Sequence, residues 1–128
     1  MAKPKWPKLP RFLVPLFHCA NVYLCVSKDE WQQALSNLKQ PEQDLSFSNG
    51  RTMHFCDSST GENLYLVGVF DKSVSTLVHE CAHATFYCCH DVGVTIETDQ
   101  SNETYCYLLD RMFSHFLPHI KQESSCPT

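Results

Sequence analysis

Residues 74–86 read V-S-T-L-V-H-E-C-A-H-A-T-F, inside a stretch from Ser73 to His90 that holds no glycine or proline. Apolar or small side chains stand at Val74, Leu77, Val78, Cys81, Ala82, Thr85, Phe86, Cys88 and Cys89. At about 100° per residue they cover most of a helical circumference. A helix apolar nearly all round belongs in an interior. Residues 73–90 are therefore expected to form a buried helix, opened by Asp71 or Ser73 and stopped before Gly93. Into it the sequence sets His79, Glu80 and His83, in the pattern H-E-x-x-H. Such groups are costly in an interior unless something satisfies them.

The elements on either side define the fold class. N-V-Y-L-C-V-S (21–27) is rich in β-branched and aromatic residues and reads as a strand. It runs into S-K-D-E-W-Q-Q-A-L-S-N-L, where Ser27 or Asp29 can cap a helix carrying Trp31, Ala34 and Leu38. Asn49-Gly50 marks a turn, and R-T-M-H-F-C-D with L-Y-L-V-G-V-F-D then form the arms of a hairpin. A last helix is expected over 102–118, capped by Asp99 or Ser101 and ending near Pro118. The order is β-α-β-β-α-α, an α+β domain with a small sheet packed on the H-E-x-x-H helix. Its limits are 13–120, between a flexible basic, proline-rich tail (1–12) and a C-terminal tail (121–128).

With 128 residues, 43% hydrophobic and 19% charged, the chain suits one globular domain. A net charge of −4, with basic residues clustered only at Lys3, Lys5, Lys8 and Arg11, argues against a nucleic-acid partner. No stretch is apolar enough to span a bilayer, so no membrane partner is expected. Pro15, His18 and Asn21 interrupt the apolar run after the basic cluster, and no small-x-small site follows. That run reads as part of the fold rather than as a signal peptide. Most of the eight cysteines lie within hydrophobic patterns, as buried reduced thiols do, which suggests a cytoplasmic setting.

Positions four apart on a helix share a face, so His79 and His83 can both reach one small cation. Zinc suits two imidazoles and a carboxylate, with the fourth place open to water. Glu80, about 100° round from His79, stands beside such an ion as a general base. Candidates for the third ligand are His90, Asp91, Glu97, Asp99, Glu103 and His115. Glu103 is favoured, because Glu103, Tyr107, Asp110 and Ser114 fall in one helical stripe. That stripe is expected to border an apolar face of Cys106, Leu109, Met112, Phe113, Phe116 and Ile120. The sequon Asn102-Glu103-Thr104 would place a glycan on this site and reads as coincidental.

H-E-C-A-H, followed twenty positions after His83 by Glu103 within N-E-T-Y-C-Y, resembles the gluzincin metallopeptidases. The chain is too short for a thermolysin and looks more like minimal single-domain zincins. H-E-C-A-H-A with N-E-x-x-x-Y-L-L-D is also similar to small H-E-C-x-H-A proteins of bacteriophages and prophages. The resemblance implies one Zn2+ held by His79, His83 and Glu103, with Glu80 as general base. It also implies a peptide or protein substrate and, for a phage protein, the host cytoplasm. Thermolysin-like enzymes carry an aspartate four residues after the glutamate ligand, where this chain has Tyr107. Asp110, one turn on, is the candidate acceptor that would orient a ligand histidine in its place. The family's transition-state histidine has no counterpart except Tyr105, Tyr107, His115 or His119, of which Tyr107 and His115 are retained as catalytic candidates.

The expected activity is peptide hydrolysis by a metal-activated water, with the substrate extended along an edge strand. L-Y-L-V-G-V-F is expected nearer the site because it leads into the zinc helix. The alternative is a zinc-binding interaction or regulatory module without turnover. A third reading, a thiolate site from Cys88, Cys89, His90 and Cys106, suffers because adjacent helical cysteines diverge by about 100°.

Overall fold

A computed structural model describes residues 5–57, 60–98 and 102–121. Chain order is β1 (Arg11–Leu13), β2 (Ala20–Cys25), α1 (Lys28–Asn37), β3 (Gly50–Cys56), β4 (Asn63–Val69), α2 (Val74–Asp91) and α3 (Glu103–Lys121). The architecture is α+β, with one four-stranded mixed sheet in the order β1-β2-β4-β3. β1 pairs antiparallel with β2, β2 parallel with β4, and β3 antiparallel with β4.

Alternation along the strands divides the interior in two. Ala20, Val22, Leu24, Tyr65, Val67 and Val69 pack with Leu77, Cys81, Ala84 and Cys88 of α2 and with Leu108, Met112 and Phe116 of α3. The intervening residues Cys25 and Leu66 pack with Trp31, Ala34 and Leu35 of α1. Such period-two sorting is what a sheet covered on both faces requires. Of the alternative caps, Ser27 opens α1 and Ser73 opens α2, each side-chain oxygen accepting the N–H three residues on.

Several expectations change. Part of the stretch read as a flexible tail is strand β1, and Trp6 packs edge-on against Tyr23. Three residues after Pro10 are too few to show period-two patterning. α3 continues through Pro118 to Lys121, and its proposed caps Asp99 and Ser101 lie outside the described residues. β4 is an interior strand, so the exposed edge beside α2 belongs to β3 instead. Finally, α2 is buried along one side only. Val74, Val78, His79, His83, Phe86 and Tyr87 are exposed, because α2 packs on the sheet and α3 and leaves its outer arc to solvent. The cost of burying polar groups therefore applies to Glu80 and not to the two histidines.

No helix among the described residues is long and apolar enough to cross a membrane. The seven described cysteines are free thiols.

Candidate metal and catalytic site

α2 lies along the β3 edge, and the register of that contact places the site. Gly50 meets Thr76, since a Cβ on Gly50 would stand 2.5 Å from Thr76 Cγ2 and 3.0 Å from Glu80 Oε2. Thr52 Oγ1 donates to Glu80 Oε1 at 2.7 Å and also approaches the Glu80 carbonyl oxygen at 3.1 Å. Glu80 is 7% exposed, so this hydroxyl is what offsets the loss of water from one carboxylate oxygen. The absent side chain at Gly50 leaves room for the other.

His79 and His83 project from the adjoining arc. Their Nε2 atoms lie 3.2 Å apart with the rings 78° to each other. Two imidazole nitrogens bound tetrahedrally to one zinc at about 2.0–2.1 Å would be separated by roughly 3.3 Å. As the rings stand, the distance is that of an N–H···N hydrogen bond between them, and it is also compatible with two ligands of one ion. Beside it, His79, Glu80 and Thr76 line a polar cleft of about 410 Å³, closed opposite by Phe47, Ser48, Asn49 and Gly50. Phe70 N–H donates to the Asn49 carbonyl at 2.8 Å and ties that loop to the end of β4.

The α3 candidates lie elsewhere. Glu103 is the first residue of α3 and is exposed, where its charge complements the positive end of the helix dipole. Among the described residues, no three His, Cys, Asp or Glu side chains are grouped to hold a metal ion. His79 and His83 are thus brought together as expected, and Glu103 is not grouped with them. The stripe Glu103–Tyr107–Asp110–Ser114 is exposed throughout, opposite the buried line Leu108–Met112–Phe116–Ile120. Cys106, expected in the core, is exposed too. Asp110 accepts from Ser114 at 3.3 Å. Tyr107 lines a separate groove with Pro15, Leu16 and Arg111, and His115 Nε2–H donates to the Arg11 carbonyl at 2.7 Å.

Sequence reasoning missed a group farther along the same seam. His54 stacks on Tyr65 at 4.7 Å and Tyr87 is parallel to both. The Tyr65 hydroxyl donates to Asp91, whose other neighbours are His54 Nε2 and His90 Nδ1, each at 3.4 Å. Burial, reinforced by the bond to Asp91, pushes the Tyr65 phenol well above its ordinary range. The spacing of Glu80, Tyr87 and Asp91 along one side of α2 was the available signal. The thiolate reading of Cys88 and Cys89 meets the opposite electrostatics, because burial raises both thiols.

Comparison with known proteins found no matching family model, curated protein or solved structure.

Proposed function

We propose that the chain is a zinc-dependent peptidase of the minimal zincin type. In this reading His79 and His83 hold the ion, Glu103 is the third ligand and Glu80 is the general base. The observation that supports it is the 3.2 Å approach of the two Nε2 atoms beside the cleft lined by His79 and Glu80. Zinc bound there would supply a Lewis acid and a water of pKa about 7. Glu80, with one oxygen held by Thr52, is the group that would take a proton and return it to the leaving amine. An extended peptide would pair with the outer edge of β3, which runs beside the cleft. Tyr105, in the first turn of α3, already packs on Phe86 of α2 at 4.6 Å, so Glu103 would join the pair by a shift of that turn along α2. A cytoplasmic setting, in a host cell if the chain is phage-encoded, belongs to the same proposal.

The second reading, zinc binding without turnover, is favoured by the separation of Glu103, Tyr107 and His115 from the cleft. One experiment separates the two. Protein prepared without chelator is assayed for zinc by elemental analysis and for cleavage of a broad peptide library, beside His83→Ala and Glu80→Gln. The peptidase reading expects one zinc per chain, lost in His83→Ala, and cleavage lost in Glu80→Gln with zinc retained. Zinc without cleavage in the wild type selects the second reading, and no zinc at all overturns both.

A further inference from the structure

A separate groove runs between the β1–β2 connection and the first two turns of α3. Thr104, Tyr107, Leu108 and Arg111 recur at three- and four-residue spacings, so they share one face of α3. Leu108 is buried in the core and supplies the floor. Pro15 and Leu16 stand opposite, and the groove has a volume of about 310 Å³, at the small end of the rough 300–1,000 Å³ range of ligand sites. The β1–β2 wall is held by its own backbone. Val14 N–H donates to the Ala20 carbonyl at 2.9 Å, and Cys19 N–H to the Leu16 carbonyl at 3.2 Å. Between these bonds Phe17 and His18 hold left-handed backbone angles, φ 60° and 49°. Residues other than glycine keep such angles where the surrounding structure fixes them.

The polar groups of the groove select its ligand. They are the Thr104 and Tyr107 hydroxyls and the Arg111 guanidinium, and among the described residues none of the three has a hydrogen-bond or ion-pair partner. Arg111 is the one charged residue of the lining. The neighbouring acids of α3, Glu103 and Asp110, lie about 90° round the helix from the middle of this face, and Asp110 is engaged by Ser114. A guanidinium presents a planar fork of donors that matches a carboxylate bidentately, and a hydroxyl beside it adds a further bond. The remaining surface, from Pro15, Leu16, Leu108 and the Tyr107 ring, is apolar and favours a hydrocarbon body over a bare inorganic anion. A volume of this size holds one ring or a short chain rather than a stretch of polypeptide.

We infer that this groove binds a small monocarboxylate with an apolar body, its carboxylate on Arg111 and its hydrocarbon on Leu16 and Leu108. The groove shares no lining residue with the His79–Glu80 cleft, so binding there depends neither on zinc nor on peptide cleavage. Titration of the ¹⁵N-labelled full chain, as purified, with 3-phenylpropionate tests it through amide shifts. The neutral isostere 3-phenylpropionamide and bare acetate are the comparisons. Saturable shifts are expected at Leu16, Thr104, Tyr107, Leu108 and Arg111 in the low millimolar range, with the acid favoured over the amide by about tenfold. Acetate, which lacks the apolar body, does not saturate in that range. Arg111→Gln, an exposed change that leaves the core intact, brings the acid down to the affinity of the amide and leaves the amide unaffected. Arg111→Lys keeps the charge but loses the fork, and recovers only part of the preference. No saturation at millimolar acid, saturation by acetate, equal binding of acid and amide, undiminished binding by Arg111→Gln, or shifts centred on the His79–Glu80 cleft would each overturn the inference.

Discussion

Gly50 is where the proposed site can be tested by adding a single methyl group. A Cβ there would lie 2.5 Å from Thr76 Cγ2, 2.8 Å from the Gly68 carbonyl oxygen and 3.0 Å from Glu80 Oε2. Carbon atoms pack at about 3.5–4.0 Å, so the first contact is short by roughly 1 Å. The second involves backbone of the neighbouring strand, which no rotamer change can clear. Gly50→Ala must therefore push the start of β3 off α2, at an overpacking cost of about 1–3 kcal/mol. For a domain of this size, with roughly 3–5 °C per kcal/mol, a 2 kcal/mol loss lowers the melting midpoint by about 6–10 °C. Urea unfolding should show the same loss as a lower midpoint with an unchanged slope. Thr76→Ser keeps the hydroxyl that bonds Asp71 and removes the clashing methyl, so in the Gly50→Ala background it should recover part of the loss. Gly50→Ala within about 0.5 kcal/mol of wild type, or no coupling to Thr76→Ser, refutes the close approach of β3 to α2.

Thr52→Val keeps the shape of the side chain but leaves Glu80 Oε1 without its hydroxyl donor. A destabilisation of about 1–3 kcal/mol by urea titration is expected, and an unchanged midpoint would contradict the Thr52–Glu80 bond. Tyr65→Phe removes the donor to Asp91 and should cost a similar amount, about 1–3 kcal/mol, checked the same way. At pH 8 the exposed Cys56 and Cys106 should react with a thiol reagent within minutes, while Cys25, Cys81 and Cys88 resist until unfolding, as read by peptide mass mapping. Burial raises these three thiols, Cys81 to about 12, against 9.0 for a free thiol. Because the folded values are raised, their stabilising effect is complete below about pH 9 and fades as pH climbs toward 12. Urea midpoints should fall from pH 8 to pH 10.5, and a flat profile would contradict the burial.

The local features of the chain were readable because local chemistry sets them. Ser27 and Ser73 cap helices through their own hydroxyls, and the hairpin arms carry β-branched and aromatic residues that suit strands. Non-local pairing was not readable. Nothing in L-Y-L-V-G-V-F says that β2 will lie beside it in parallel and make β3 the edge. The burial of α2 was overestimated because Val74, Val78 and Phe86 count as apolar whether or not a partner covers them. At the site, spacing alone brings His79 and His83 together, since one helix turn fixes both. Glu103 depends on how two helices meet, and its helical phase was misjudged because Cys106 was counted with the core. Thr52, Gly50 and the Tyr65–Asp91 pair join residues far apart in sequence and carry no local signature.

The pairing of β2 with β4 has a kinetic meaning. Ala20 lies opposite Asn63, and that parallel contact closes 43 positions of chain, whereas β1–β2 and β3–β4 close over short turns. Loop closure makes such long-range contacts late, so the two hairpins should form first and dock along the β2–β4 line afterwards. His79, Glu80, His83, Thr52 and the Phe47–Gly50 loop all belong to the second half of that assembly. The histidine pair and Glu80 would thus take shape in a local folding unit before β1 and β2 dock. Hydrogen exchange should then find that β1 can open while the histidine pair stays in place.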